Sequence, residues 1–103
     1  MSALEDALAL QLCASKIKFE REVSIIPKRK FRHDFRIKDT NLLVEVQGAV
    51  FVKGAHSTGI GISRDYVKHN LATLERYRVL YVTAQHIKSG EALGWIKRAL
   101  EEA

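Results

Sequence analysis

A carboxylate interrupts the most apolar strand pattern in this sequence. Glu45 lies within Leu42-Leu-Val-Glu-Val46, a run that otherwise predicts a buried strand. An ionised carboxylate in such a place is unfavourable unless another group pairs with it. The fold must therefore bring a partner to Glu45, and the flanking residues indicate which one.

The hydrophobic pattern predicts elements in the order αβββαβα. A first helix begins at Ser2, whose spacing to Glu5 is that of a capping box, and its mostly apolar sequence predicts burial on nearly every side. The strands are predicted at residues 19–26, 31–37, 42–46 and 78–83, and further helices at 63–76 and 90–102, with a loop at 50–62. The second helix is expected to bury Val67, Leu71 and Leu74, and the last helix Leu93, Trp95, Ile96 and Leu100. This order predicts an α/β fold with a mixed four-stranded sheet.

The second and third strands identify an acid opposite Glu45. A four-residue turn at 38–41 closes them into a hairpin in which Ile37 faces Leu42, and counting back places Asp34 across from Glu45. The Cβ atoms of opposed residues lie roughly 4.5–5.5 Å apart, so two like charges there destabilise the sheet. The other hairpin face is apolar and carries Phe31, Phe35, Ile37, Leu42, Val44 and Val46, with His33 as a core histidine.

Three arrangements would relieve this repulsion. They are a proton shared by the two acids, pairing with the flanking Arg32 and Arg36, and a bound divalent cation. Mg²⁺ suits the last arrangement because it takes oxygen ligands and needs only one or two protein carboxylates besides water. Gln47 projects to the same side. The alternative is an ordinary solvated strand face in which Asp34 forms surface ion pairs.

Composition narrows the class of protein. The chain has 103 residues, a formal charge of +5 and a pI of about 9.6, which favours a polyanionic partner. Cys13 is the one cysteine, which excludes an internal disulfide and a cysteine zinc cluster, and it is expected to be a small apolar filler in the first helix. No apolar run reaches the roughly 20 residues of a membrane span. We expect one cytoplasmic domain over residues 1–103, with no membrane partner.

Four motifs then occur in a characteristic order: Arg32-His-Asp-Phe35, Val44-Glu-Val-Gln-Gly48, Asp65-Tyr-Val-Lys68 and Tyr77-Arg-Val-Leu-Tyr-Val-Thr83. This order resembles the PD-(D/E)XK nuclease superfamily, closest to small very-short-patch-repair-like and Holliday junction resolvase-like endonucleases. The resemblance implies a restriction-endonuclease-like core and a Mg²⁺-dependent DNA endonuclease, with Mn²⁺ able to substitute. Its host cell would be bacterial, phage-infected or archaeal.

The resemblance also assigns metal ligands. Asp34 and Glu45 would hold Mg²⁺, together with the Val46 carbonyl, and Glu5 matches a further acid that such enzymes carry on the first helix. Glu5 is equally expected as a capping-box carboxylate. Glu22 is a second candidate for an outer acid, against the alternative of a solvated strand residue.

Gln47 is where the sequence departs from the superfamily, which mostly has lysine there. Glutamine supplies no positive charge to the nucleophile or the transition state. Lys68 is our candidate for the displaced catalytic cation, and its alternative is a surface ion pair with Asp65, three residues earlier on the same helix face.

Basic residues close to the acids are candidates for DNA contacts. In the functional interpretation they bind phosphates beside the cleaved bond, and in the alternative they are solvated. The glycine-containing loop at 53–61 lacks the Gly-Lys-Ser/Thr ending of a P-loop, so no nucleotide cofactor is expected. His69 and His86 have no metal-ligand spacing. The candidate DNA-binding residues are Lys28, Arg29, Lys30, Arg32, Arg36, Lys53, His56 and Arg64.

Two functions follow from these residues. The first is an endonuclease on duplex or branched DNA, acting in recombination, repair or phage DNA processing, with Asp34, Glu45, Gln47 and Lys68 as catalytic residues. Because so small a chain covers little DNA and such substrates need two cuts, a homodimer is expected. The second is a catalytically weak or inactive DNA-binding module or nuclease subunit that keeps the fold.

Overall fold

A computed structural model describes residues 2–48 and 59–102. Within them, four strands form one sheet in the order β1-β2-β3-β4, in which β1–β2 and β2–β3 are antiparallel and β3–β4 are parallel. This confirms the predicted α/β class with a mixed four-stranded sheet. The elements are α1 (Ala3–Ala14), β1 (Phe19–Val23), β2 (His33–Ile37), β3 (Leu42–Gln47), α2 (Gly59–Leu74), β4 (Arg78–Thr83), α3 (Ala84–Ser89) and α4 (Glu91–Glu101).

The predicted register of the β2–β3 hairpin is confirmed. Phe35 pairs with Val44, and Arg36 pairs with Leu43. One residue further along, the same register brings Asp34 to the position across from Glu45.

One face of the sheet builds the core with α1, α3 and α4. The helices and the strands contribute a contiguous set of buried side chains, and Phe35 contacts Phe19 edge-on with ring centroids 5.5 Å apart. Trp95, Leu93 and Leu100 are partly buried against this core. Its fully buried members are Leu8, Leu12, Phe35, Ile37, Leu42, Val44, Val82, Ile87, Ala92 and Ile96.

Helix α2 differs from its prediction in extent and in orientation. It begins at Gly59, so residues 59–62 are helical although the sequence predicted a loop, and Ser63 is not its cap. The predicted inner stripe is wrong at Val67 and Leu74, which are 39% and 75% exposed, whereas Leu71 is half-buried and Ala72 is fully buried. The helix is turned so that Ala72 and Lys68, four residues apart, face the sheet.

Helix α1 is buried on one side only. Leu8 and Leu12 enter the core, but Leu10 is 71% exposed. The prediction that this helix is buried nearly all round was therefore wrong, as was the expectation of Cys13 as a packed filler, since its thiol is exposed. Ser2 caps the helix as predicted, by accepting a hydrogen bond from the Glu5 N–H at 3.1 Å.

Strand and helix ends differ modestly from the sequence pattern. Strand β1 stops at Val23 and β2 starts at His33, so both are shorter than predicted. Helix α3 was not predicted; it begins after Thr83, whose N–H donates to Nδ1 of His86 at 3.0 Å. None of the helices in the described ranges is long and apolar enough to cross a membrane.

Candidate active site

The β2–β3 ladder opens where the two acids face each other. The N–H of Asp34 donates to Oε1 of Glu45 at 3.0 Å, and the N–H of Val46 donates to Oδ2 of Asp34 at 2.7 Å. Each carboxylate thus satisfies a main-chain donor of the opposite strand, as a ladder carbonyl would elsewhere. This reciprocal pairing fixes both side chains at the separating ends of the strands.

Glu45 has two further partners. It is only 4% exposed, and its Oε2 lies 2.7 Å from Nζ of Lys68 and 3.0 Å from Nδ1 of His33. Burial by itself raises the pKa of Glu45, but hydrogen bonds from His33, Lys68 and the Asp34 N–H outweigh it and hold that pKa below its ordinary value. Glu45 is therefore an ionised carboxylate that accepts from three donors.

His33 is the site residue that sequence reasoning missed. It is 1% exposed, as a core histidine should be, yet its ring reaches Glu45. Because a carboxylate only accepts, Nδ1 must carry the hydrogen. Strict alternation along β2 and β3 assigns His33 and Glu45 to opposite faces, and they meet only because the strands separate there. The one available signal was a polar side chain within the apolar set of β2.

Asp34 is in the opposite electrostatic situation. Its side chain is half-buried, and this burial, together with the nearby charges of Glu45 and Glu5, raises its pKa despite the hydrogen bond from the Val46 N–H and the charge of Lys68. Negative charge on Asp34 is therefore unfavourable in the protein alone, and a bound cation would relieve it.

The donor set fits a Mg²⁺ ion that keeps much of its water. A carboxylate offers about four acceptor positions. Three are taken on Glu45 and one on Asp34, whose Oδ1 makes no hydrogen bond to any described residue. Within residues 2–48 and 59–102, no group of three or more His, Cys, Asp and Glu side chains is arranged to enclose a metal. Mg²⁺ needs only one or two carboxylates, so an open site centred on Asp34 suffices.

Glu5 lies at the N-terminus of α1, beside this site. Its carboxylate accepts from the Ser2 hydroxyl at 3.3 Å and lies 3.7 Å from the Arg21 guanidinium. The carboxylate thus contacts the N-cap residue through its hydroxyl, whereas a capping box would use the backbone N–H, and its charge contributes to the raised pKa of Asp34. Glu22 is more peripheral: it is exposed, 3.9 Å from Arg32, and has a left-handed backbone with φ of 52°.

A basic groove of about 400 Å³ lies next to Lys68. Three of the predicted DNA-binding residues, Lys30, Arg32 and Arg64, line it together with Phe31, Asp65 and Lys68 itself. Among the described residues, four cations against one acid give this groove a strongly positive surface. Sequence spacing alone did not predict that Arg64, from α2, would join the residues that precede β2.

The other predicted DNA-binding residues are placed differently. Arg36 turns away from the acids, donating to the Thr40 carbonyl at 3.1 Å and lying 5.4 Å above the Tyr77 ring. Lys28 and Arg29 are exposed in the segment before β2, and Arg29 covers the Phe31 ring. Lys53 and His56 lie outside the described residues.

An aromatic cleft of about 290 Å³ lies on the other side of Lys68. Its lining comprises Glu45, Gln47, Asp65, Tyr66, Lys68, His69 and Tyr81. Tyr81 is paired with Glu45 in the parallel β3–β4 ladder, and its hydroxyl is 3.0 Å from Nδ1 of His69. The aromatic residues were not predicted, although aligning β3 with β4 in parallel would have placed Tyr81 beside Glu45.

The fold is shared with a solved nuclease domain. The structure of the homing endonuclease I-Bth0305I catalytic domain aligns with 99% of this chain and 93% of that one, with a TM-score of 0.67 and 15% sequence identity. Neither a protein-family model nor a curated protein matches the sequence. At this identity the likeness establishes the fold.

Proposed function

We propose that this protein is a Mg²⁺-dependent DNA endonuclease of the PD-(D/E)XK superfamily, with Asp34 and Glu45 at its centre. One observation carries the proposal: two acids on separating strands each accept a hydrogen bond from a main-chain N–H of the opposite strand, and Lys68 contacts Glu45. The raised pKa of Asp34, and its Oδ1 without a hydrogen bond to the described residues, add support, because a bound cation would stabilise the ionised carboxylate.

Each residue then has a defined task. Asp34, Glu45 and the Val46 carbonyl would hold the Mg²⁺, with Oδ1 of Asp34 as the oxygen that makes no hydrogen bond to the described residues. When bound, Mg²⁺ supplies Lewis-acid stabilisation of the phosphate and lowers the pKa of water. His33 and the Asp34 N–H fix the orientation of the Glu45 carboxylate.

We assign to Lys68 the role of the lysine that most of the superfamily has at the position of Gln47. Its ammonium reaches Glu45 from α2, so the site keeps a cation although β3 supplies none. Positive charge at this place stabilises the charge that develops on the phosphate during hydrolysis. Mn²⁺ is expected to substitute for Mg²⁺, since both accept carboxylate and water ligands.

DNA would be held by the basic groove. Lys30, Arg32 and Arg64 face solvent there and can neutralise successive phosphates leading to the acids. The shared fold with a homing endonuclease catalytic domain adds support. We further propose that the protein acts in the cytoplasm as a homodimer, because one small domain delivers one cut and duplex or branched DNA requires two.

The alternative function is a DNA-binding module or nuclease subunit with weak or no catalysis. Gln47 favours it, and so does the direct contact of Lys68 with Glu45, because the ammonium already occupies a position on the carboxylate where a metal would bind.

One assay separates the two functions. Supercoiled plasmid and four-way-junction DNA are incubated with the wild type, Asp34→Asn or Glu45→Gln, with and without Mg²⁺ or Mn²⁺. Glu20→Gln, which alters an exposed acid on β1, is the matched control. The enzyme is supported by metal-dependent cutting that only the first two variants lose, whereas binding without cutting in either metal favours the module.

A further inference from the structure

Two chemically different cavities meet at Lys68. The basic groove and the aromatic cleft both include Lys68 and Asp65 in their walls, so the two cavities are neighbours. Among the described residues, the groove presents several cations, whereas the cleft adds aromatic rings and the Gln47 amide to the acids and Lys68. A phosphate fits the first and not the second.

The charged lining of the cleft differs from that of the groove. Among the described residues it has two acids, Glu45 and Asp65, and one cation, Lys68, which already contacts Glu45. The occupant should therefore be neutral. The volume, about 290 Å³, lies just below the range of drug-sized ligand pockets and suits one flat ring system.

The aromatic side chains are available for stacking. Tyr66 is 65% exposed and Tyr81 is 45% exposed, so neither side chain is packed within the core. Tyr81 is held in place by its strand and by His69, whose ring is tilted against it with centroids 5.7 Å apart. A ring fixed in this way loses little conformational freedom when a ligand stacks on it.

We propose that the aromatic cleft holds one unpaired nucleobase of the strand whose phosphates lie in the basic groove. Gln47, Tyr66, His69 and Tyr81 are the cleft residues that contact this base. The preferred substrate is then DNA with an unpaired nucleotide beside the cleaved bond. This proposal rests on the endonuclease function and deepens it by naming a substrate class.

A base that is paired within a duplex is not expected to occupy the cleft. A base inside a duplex is stacked on both faces and enters a side pocket only after it leaves the stack, which is easiest where it is already unpaired. Stacking on an aromatic side chain then holds any base. Gln47, whose amide makes no hydrogen bond to the described residues, can donate to and accept from the base edge. Gln47 therefore contributes to the choice of base. A lysine at this position would do so less well, because an ammonium can only donate hydrogen bonds.

The test uses a fluorescent base and no catalysis. A duplex with a single-nucleotide bulge carries 2-aminopurine at the bulge and is titrated with Asp34→Asn protein without added metal. Stacking predicts quenching of the fluorescence. Adding Tyr66→Ala or Tyr81→Ala should abolish the quenching and weaken bulge binding roughly 5- to 100-fold, the range expected for losing one stacked base.

Conservative variants separate stacking from folding. Tyr66→Phe and Tyr81→Phe keep a ring and should keep the quenching, and Leu74→Ala, an exposed apolar change on the same helix, should leave it unaltered. Absence of quenching by the Asp34→Asn protein, or quenching that survives both alanine substitutions, overturns the proposal.

Failure of the endonuclease function would look different. If wild-type protein quenches the bulged base but does not cut DNA in Mg²⁺ or Mn²⁺, the proposal for the aromatic cleft stands and the endonuclease function is wrong. If wild-type protein cuts fully paired and bulged duplexes at equal rates and does not quench the bulged base, the endonuclease function stands and the proposal for the aromatic cleft is wrong.

Discussion

Asp34 and Glu45 face each other and yet have opposite electrostatics. Glu45 receives hydrogen bonds from two side chains and a main-chain N–H, which lower its pKa, whereas Asp34 receives one and has two negative charges nearby. Register counting was sufficient to predict that they meet, because a hairpin with a four-residue turn allows few alternatives. The sequence could not reveal the His33 contact, which depends on where the two strands separate.

This asymmetry predicts stability changes of opposite sign. Asp34→Asn should stabilise the metal-free protein at neutral pH by about 0.5–2 kcal/mol, because it removes an unfavourable charge and keeps an acceptor for the Val46 N–H. Glu45→Gln should destabilise it by about 1–3 kcal/mol, since Lys68 and His33 lose a charged acceptor. Thermal and urea unfolding measure both, with Glu20→Gln as a control. Equal signs for the two variants would contradict the assigned electrostatics.

The stabilisation by Asp34→Asn should also depend on pH. The folded-state pKa of Asp34 lies above its ordinary value of 3.8, so the protonated acid is favoured by folding. That contribution is fully present below pH 3.8 and is lost as pH rises through the folded pKa. The stability gap between Asp34→Asn and wild type should therefore be smallest in acid and grow towards neutral pH. Urea unfolding at a series of pH values tests this, and a constant gap would argue against it.

At the scale of elements, α2 shows where hydrophobic periodicity misleads. Its apolar residues Val67 and Leu74 predicted one face, but the helix instead directs Lys68 and Ala72 to the sheet. A buried carboxylate needs its cation, and this requirement outweighs the exposure of two aliphatic side chains. The strands were easier to predict, because their alternation and the β3–β4 apolar runs leave few other arrangements.

The orientation of α2 predicts a labelling pattern. In a Cys13→Ser background, which removes the exposed native thiol, Val67→Cys and Leu74→Cys should react with a maleimide in the folded protein at rates within a few-fold of an unfolded control. Ala72→Cys should react at least about tenfold more slowly, because its position is fully buried. Mass spectrometry follows the reaction. Protection of Leu74→Cys together with rapid labelling of Ala72→Cys would mean that the helix is turned the other way.

At the scale of the whole molecule, the sheet brings distant parts of the sequence to one place. The acid pair, the basic groove and the aromatic cleft are formed by the segment before β2 and by parts of β2, β3, α2 and β4. The overall charge indicated a polyanionic partner, but only the fold gathers Lys30, Arg32 and Arg64 into one surface. Arg36, close to them in sequence, is directed towards Tyr77 instead.

The basic groove predicts the salt dependence of DNA binding. A variant with Lys30, Arg32 and Arg64 changed to Ala should bind DNA more weakly, and the slope of log affinity against log salt should decrease in magnitude by about 2 to 3, since each phosphate contact contributes about 0.9. A variant with Lys16, Lys88 and Lys97 changed to Ala has the same charge change at exposed positions elsewhere. Fluorescence anisotropy at several salt concentrations compares them. Equal slopes for the two variants would mean that the basic groove does not contact the DNA phosphates.

Single-turnover cleavage of DNA in Mg²⁺ tests the central claim most directly. Wild type, Asp34→Asn and Glu20→Gln are compared on the same plasmid, after unfolding measurements have shown that each variant is folded. A catalytic acid pair predicts that Asp34→Asn, although at least as stable as the wild type, cuts at least about 100-fold more slowly, while Glu20→Gln cuts at the wild-type rate. Cleavage by folded Asp34→Asn at the wild-type rate would contradict the assignment of this pair as the active site.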